Sequence, residues 1–406
     1  MSTLPSLAGA EWLSRRTTQA VFAALRAAGH EARAVGGCVR NGLMGLPVAD
    51  IDIATTALPD ETITAAKASG MAAIPTGKEH GTITVVTEGA PYEVTTLRRD
   101  VSTDGRRAVV AYTRDWTEDA GRRDFTMNAL YCGADGTVFD PLGGLPDLEA
   151  RQVLFIGSPE ARIREDYLRI LRFFRFHAQY GVGGLDQAGA RACVRLRGGL
   201  GQLSAERVGA EMLKLLGAPF AVTAVGEMFD LGLLVDVLAA APRPYRFARL
   251  AELETVPDAA LRLAALAVHV EEDAERLAER LRLSGAQRAV LELTALPLSG
   301  NATVREARLA LHRLGPDDYR RRVLLDWAGS QAALDDGHWR GLLALPERAP
   351  VPPFPIAGRD LVRLGLPPGP KVGEVMRALE TEWIASDFVA SREALLARAR
   401  SLLAVG

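Results

Sequence analysis

The chain has 406 residues, 48% of them hydrophobic and 24% charged, which suits a globular protein of two to four folded units and excludes disordered, fibrous and peptide-hormone classes. Apolar runs such as Leu231 to Ala241 are short and broken by Asp236, well below the roughly 18 to 20 residues of a membrane-spanning helix, so no membrane association is expected. The formal net charge of −2 gives no blanket attraction for nucleic acid, yet the stretch from Arg162 to Arg207 holds nine arginines against four acids.

The three cysteines (Cys38, Cys132, Cys193) are too far apart for a disulfide framework or a zinc knuckle and read as small core hydrophobes. Met1-Ser2-Thr3-Leu4-Pro5 carries no basic patch before an apolar core, so the expected location is cytoplasmic.

In chain order, residues 1–150 alternate helix-like and strand-like segments, with strands predicted at 32–35, 50–54, 82–87, 92–97 and 130–131. The polar segment Arg98 to Arg123 reads as a mobile loop over a site or as an ordinary surface loop. Beyond 150 the strand signal gives way to amphipathic helices, as at 205–216, 259–283 and 304–314. A proline-rich hinge at 346–355 precedes a last helical stretch from Arg359 to Leu403. The fold class is therefore α+β, with the sheet confined to the first third.

Val35-Gly36-Gly37-Cys38-Val39-Arg40 sets paired glycines between a strand and a helix, with Arg40 one turn in. Glycines there serve as a plain turn, or let backbone N–H groups approach a phosphate at a helix N-terminus. In Asp50-Ile51-Asp52-Ile53-Ala54 the two-residue strand period puts both aspartates on one face. The pair is either a solvated strand edge or a seat for a hard divalent cation such as Mg²⁺, shared with nucleotide phosphates. Glycines followed by Asp-x-Asp point to nucleotidyl transfer, in which metal ions activate an attacking hydroxyl and stabilise departing pyrophosphate. Glu93 reads as a third carboxylate nearby or as an exposed strand residue and is not counted in the site.

A single helix is predicted from Ser158 (N-cap) and Pro159 (first position) to Gly181. Asp166 and Arg169, three apart, would be neighbours on it. They form a surface salt bridge or a base-reading pair. A carboxylate accepts from the exocyclic amino group of cytosine or adenine and a guanidinium donates to the adjacent ring nitrogen, whereas uracil and guanine present the reverse pattern.

Gly36-Gly37-Cys38-Val39-Arg40 with Asp50-x-Asp52 resembles the head signature of bacterial class II tRNA nucleotidyltransferases, the CCA-adding enzymes. Arg122-Arg123-Asp124-Phe125-Thr126-Met127-Asn128-Ala129 is similar to the family's second motif, and Asp140-Pro141-Leu142-Gly143-Gly144 to its head–neck junction. Glu165-Asp166-Tyr167-Leu168-Arg169-Ile170-Leu171-Arg172-Phe173-Phe174-Arg175 is similar to its nucleotide-selecting helix. These blocks run in family order over about the first 180 residues, and Gly358 to Leu379 resembles the family's C-terminal region. Asn41 departs from the pattern, which usually has aspartate there.

The resemblance implies a polymerase-β-like nucleotidyltransferase head (1–150), then an all-α neck (151–220), body (221–350) and tRNA-binding tail (351–406). It implies template-independent addition of CCA to the tRNA 3′ acceptor end from CTP and ATP. Asp50 and Asp52 would be the catalytic, Mg²⁺-holding pair. Gly37, Arg40, Arg123, Asp124, Asn128, Asp166, Arg169, Arg172 and Arg175 would bind the nucleotide. Among these, Arg123 would take the triphosphate, while Asp124 would position the ribose or else be a buried partner of Arg123. Asp166 and Arg169 would choose C and A over U and G.

A poly(A) polymerase, a CC-only or A-only enzyme, and a catalytically silent RNA-binding protein are the alternatives. No protein partner is implied. Gly77-Lys78 is followed by Glu79, so no P-loop is present, and no histidine pair or His-Asp dipeptide suggests an added metal phosphohydrolase domain.

Overall fold

The computed structural model describes residues 5–104, 107–295, 298 and 300–405, and the chain forms two compact units, Met1–Pro242 and Arg243–Gly406. The first is built on β1 (Ala32–Val35), β2 (Asp52–Thr55), β3 (Ala72–Gly77), β4 (Thr82–Thr87), β5 (Ala90–Thr96), β8 (Tyr131–Cys132) and β9 (Val138–Phe139), in the order β3-β4-β5-β2-β1-β8-β9. Neighbours are antiparallel except β2 and β5, which run parallel and place Asp52 opposite Glu93. Helices Arg16–Ala27 and Pro59–Ala68 pack on each other and on the sheet, burying Val21, Phe22, Leu25, Ala65 and Ala66.

Several expectations change in the structure. Strand β2 starts at Asp52, because its partner β1 ends at Val35 and Gly36 turns away with φ 72°, leaving Asp50 without a strand to pair with. Even so, Ile51 and Ile53 are buried while Asp50 and Asp52 are exposed, so the alternation holds. Strand β3 was not foreseen; it is an edge strand that contains Pro75 and slips register between Ile74 and Gly77.

The predicted loop at 98–123 is a hairpin, β6 (Arg98–Asp104) paired with β7 (Arg107–Tyr112), followed by helix Trp116–Gly121; Gly105 and Arg106 lie outside the described residues. Among the described strands this hairpin pairs only with itself, so no sheet core imposes the alternating pattern that marks β1 or β4.

The single helix predicted from Ser158 to Gly181 is two, Pro159–Glu165 and Leu168–Tyr180. Ser158 Oγ caps the first from Ala161 N–H, but Asp166 takes an extended conformation (φ −157°, ψ 108°) and its carboxylate accepts from Leu168 N–H at 3.1 Å, starting a new helix. Phe125, Phe155, Phe173 and Phe176 form one aromatic cluster with centroids 5.0 to 6.3 Å apart, which packs the segments around Phe125 and Phe155 on the helix Leu168–Tyr180. The compact unit therefore continues past the sheet through helices Ala205–Leu216 and Ala221–Asp230 to Pro242.

The second unit is helical in every described element. The run predicted at 259–283 is two helices, Ala259–Ala267 and Glu271–Leu281, and the run Val304–Gly329 kinks at Gly315 ahead of Pro316. One core gathers Tyr319, Trp327 and Trp339, and another gathers Leu361, Leu379 and Trp383 beyond the proline-rich segment. All three cysteines are free and buried, and among the described residues no helix is long and apolar enough to cross a membrane.

Candidate active site

A cavity of about 670 Å³ in the first unit is lined by all eleven residues singled out in the sequence, from Gly37 and Arg40 to Arg172 and Arg175. Eight cationic side chains face it against four carboxylates, so it favours a polyanionic ligand while keeping an acidic corner at Asp50 and Asp52.

Gly36 turns the chain out of β1 with a positive φ that disfavours any side chain, and the helix Gly37–Leu43 follows. Arg40 on that helix is 6% exposed. Its guanidinium donates to Asn128 Oδ1, to Asn41 Oδ1 (2.9 Å) and to Tyr180 Oη (2.6 Å), and lies 4.1 Å from the Tyr180 ring centroid. Burial lowers its pKa, and the acceptors touching it are neutral, which leaves an under-compensated cation on the cavity wall. Asn41 uses its amide in both directions, since Nδ2 donates to Pro47 O at 2.9 Å.

Asp52 opens into the cavity, yet partial desolvation in this recess, with like charge from Glu93 and Asp50, raises its carboxyl above the usual range while Arg123 opposes the shift. Glu93 does not line the cavity. Among the described residues no three histidine, cysteine or acidic side chains form a metal cluster. Two carboxylates that repel one another beside a polycationic cavity nevertheless match the donor set of Mg²⁺, which takes one or two carboxylates and completes its shell with water and substrate phosphates.

Arg123 and Asp124 do not pair with one another; each is held by partners of its own. Arg123 donates to Asp119 Oδ2 (3.1 Å) and Tyr131 Oη (3.3 Å), two residues the sequence reading missed. Asp124 accepts on Oδ2 from Arg172 Nη2 (2.6 Å) and Nε (2.8 Å), and on Oδ1 from Asn128 Nδ2 (2.9 Å). Burial pushes the Asp124 carboxyl up, but Arg172 and the Asn128 hydrogen bond outweigh it and hold it below its ordinary value.

Asp166 and Arg169 also part company. Asp166 Oδ2 accepts from Arg207 at 2.6 Å, while Arg169 binds Glu165, Arg162 O and Arg122 O. Arg172 and Arg175 both reach Glu211, which is 6% exposed. Arg207, Glu211 and Lys214 lie at i, i+4 and i+7 on the helix Ala205–Leu216, a charged stripe on an amphipathic helix that by itself marks only one face. Arg40, Asn128, Asp124, Arg172, Glu211 and Arg175 thus form one connected polar network.

Residues 32–154 match a family model described as the Poly A polymerase head domain. The chain is 33% identical over 384 residues to the mouse (Mus musculus) protein "CCA tRNA nucleotidyltransferase 1, mitochondrial", covering 90% of this chain and 86% of that one. It is 43% identical over 208 residues to the CCA-adding enzyme of Geobacillus thermodenitrificans, covering half of each chain. Among solved structures, the Bacillus stearothermophilus CCA-adding enzyme in complex with CTP superposes with a TM-score of 0.73 at 30% identity, covering 96% of this chain and 98% of that one.

Proposed function

The chain belongs to the CCA tRNA nucleotidyltransferase family, and on that premise we infer that its 670 Å³ cavity binds CTP and ATP in turn and transfers CMP, CMP and AMP to the 3′ end of tRNA. The observation that carries the reading is the convergence, in one cavity, of the acidic residues Asp50 and Asp52, a row of arginines, and Asp166 with Arg169 on its wall. No nucleic-acid template is needed, because the protein side chains themselves supply the selecting donors and acceptors.

In this reading Asp50 and Asp52 hold Mg²⁺ together with the substrate's phosphates. The bound ion supplies Lewis acidity at the α-phosphate. Arg40 and Arg123 receive the triphosphate. The terminal ribose hydroxyl of the tRNA forms a new bond to the α-phosphorus as the bond to pyrophosphate breaks, and the cavity's arginines offset the charge gathering on the leaving group. Asp124 and Asn128, held in the polar network, set Arg172 and Arg40 in place beside the ribose. Asp166 accepts the amino group of cytosine or adenine, and Arg169 donates to the ring nitrogen. The electropositive helices after residue 160 and the segment after 350 take the acceptor arm by shape and phosphate contacts. The proposed compartment is the cytoplasm.

The test is incubation of the purified protein with Mg²⁺, labelled CTP and ATP, and tRNA transcripts ending in nothing, C or CC, read at single-nucleotide resolution. Exactly completed CCA ends and no further growth are expected. The head model's own description favours a second reading, a poly(A) polymerase, and a long A ladder would establish that instead. Two added C residues or a lone A would define a partial enzyme.

A further inference from the structure

Asp119 sits in the first turn of the short helix Trp116–Gly121, is 1% exposed and does not line the cavity. Its two oxygens nevertheless take four donors. Oδ1 accepts from Arg122 (2.8 Å) and from the backbone N–H of Arg98 (3.3 Å), where the β6–β7 hairpin begins. Oδ2 accepts from Arg123 Nη2 (3.1 Å) and Tyr131 Oη (2.8 Å). A carboxylate has about four lone-pair sites, so all of its acceptor capacity is in use. Arg122 and Arg123 both line the cavity, and neither is fastened there by the acidic pair at Asp50 and Asp52.

We propose that Asp119 is a positioning residue for nucleotide binding: from behind the cavity wall it fixes the direction in which Arg123 and Arg122 present their guanidinium groups, and it ties that direction to the root of the β6–β7 hairpin. The proposal rests on reading Arg123 as a triphosphate ligand. Burial alone would push the Asp119 carboxyl up, but Arg123 and Arg122, with the Tyr131 and Arg122 hydrogen bonds, hold it below its ordinary value, so it stays an acceptor for all four donors. Asparagine at this position keeps the size but offers one oxygen and turns an NH₂ toward an arginine or the tyrosine hydroxyl.

The experiment measures KM and kcat for CTP and for ATP, at saturating tRNA, in the full-length Asp119→Asn, Arg123→Ala and doubly substituted proteins. KM reports only folded molecules, so lost material lowers apparent kcat without moving it. Asp119→Asn is expected to raise KM for both nucleotides in parallel, by about tenfold, the size of one weakened hydrogen bond to a charged group. Arg123→Ala should raise both at least as far, and the double variant by less than the product of the two single effects, the remainder acting through Arg122.

A rise in the Arg123 variant with no change at Asp119, or effects that multiply in the double variant, would overturn the positioning role and leave the triphosphate reading intact. An unchanged KM in Arg123→Ala would remove that reading and the proposal with it. If Asp119→Asn yields no folded protein, Tyr131→Phe decides. Losing the hydroxyl frees one side of Oδ2, and a parallel rise in both KM values supports the proposal while unchanged values sink it.

Discussion

Asp52 carries the sharpest consequence at the scale of single residues. Its carboxyl is raised by desolvation and by the like charges of Glu93 and Asp50, and only its ionised form can hold a cation. Activity should therefore fall on the acidic side at a higher pH than an ordinary aspartate would give. Replacing Glu93 with glutamine removes one of the repelling charges, so the acidic limb of kcat/KM for CTP should move to lower pH. A limb that stays put or moves upward would count against the Asp52–Glu93 coupling. Asp50→Asn and Asp52→Asn should each reduce incorporation of labelled CMP by about 10³-fold or more with the circular dichroism spectrum unchanged. Retained incorporation in either would shift the chemistry elsewhere.

Among the elements, the joint between helices Pro159–Glu165 and Leu168–Tyr180 matters most, because it presents Asp166 on extended backbone with Arg207 fastened to its outer oxygen. Arg207→Met keeps the bulk and leaves the carboxylate held only through Oδ1, by the Leu168 N–H. Misincorporation of UTP relative to CTP should rise by about tenfold, measured by competing the two nucleotides on a tRNA lacking its CCA end, and an unchanged ratio would separate Arg207 from base choice.

This joint was illegible in the sequence. Ser158, Pro159 and Gly181 mark the outer ends correctly, but the break depends on Asp166 capping its own downstream turn and on an arginine 41 positions away. The 98–123 segment misled for a different reason: a hairpin paired only with itself need not show the alternation that made β1 and β4 plain. The eleven candidate residues that line the cavity could be picked out because short-range motifs carry them. Asp119, Glu211 and Lys214 were not, because their roles come from partners or walls that only folding brings near.

On the scale of the whole molecule, the cavity lies entirely within Met1–Pro242, which has its own sheet, helices and aromatic core. A fragment of residues 1–242 should bind CTP with an affinity within about threefold of the full chain by calorimetry, while failing to extend tRNA; lost CTP binding in a folded fragment would place part of the nucleotide site in the second unit. Acid sensitivity belongs to this scale as well. Asp119 and Asp124 both have folded pKa values below their ordinary ones. Their contribution to stability is complete above the usual carboxylate range and drains away as pH falls through the lowered values. The Tm of the 1–242 unit should accordingly drop on acidification, and less steeply in Asp124→Asn.

Asn41 sits where its relatives' pattern usually has a carboxylate, and its amide makes a junction that a carboxylate cannot. Its oxygen grips Arg40 while its NH₂ reaches Pro47, three residues before Asp50. An aspartate would be acceptor-only, bound to the arginine and silent toward the proline carbonyl. In this chain the glycine turn and the segment leading to Asp50 are therefore spliced by a side chain, which ties the Arg40 guanidinium to the backbone three residues before the first acid of the pair.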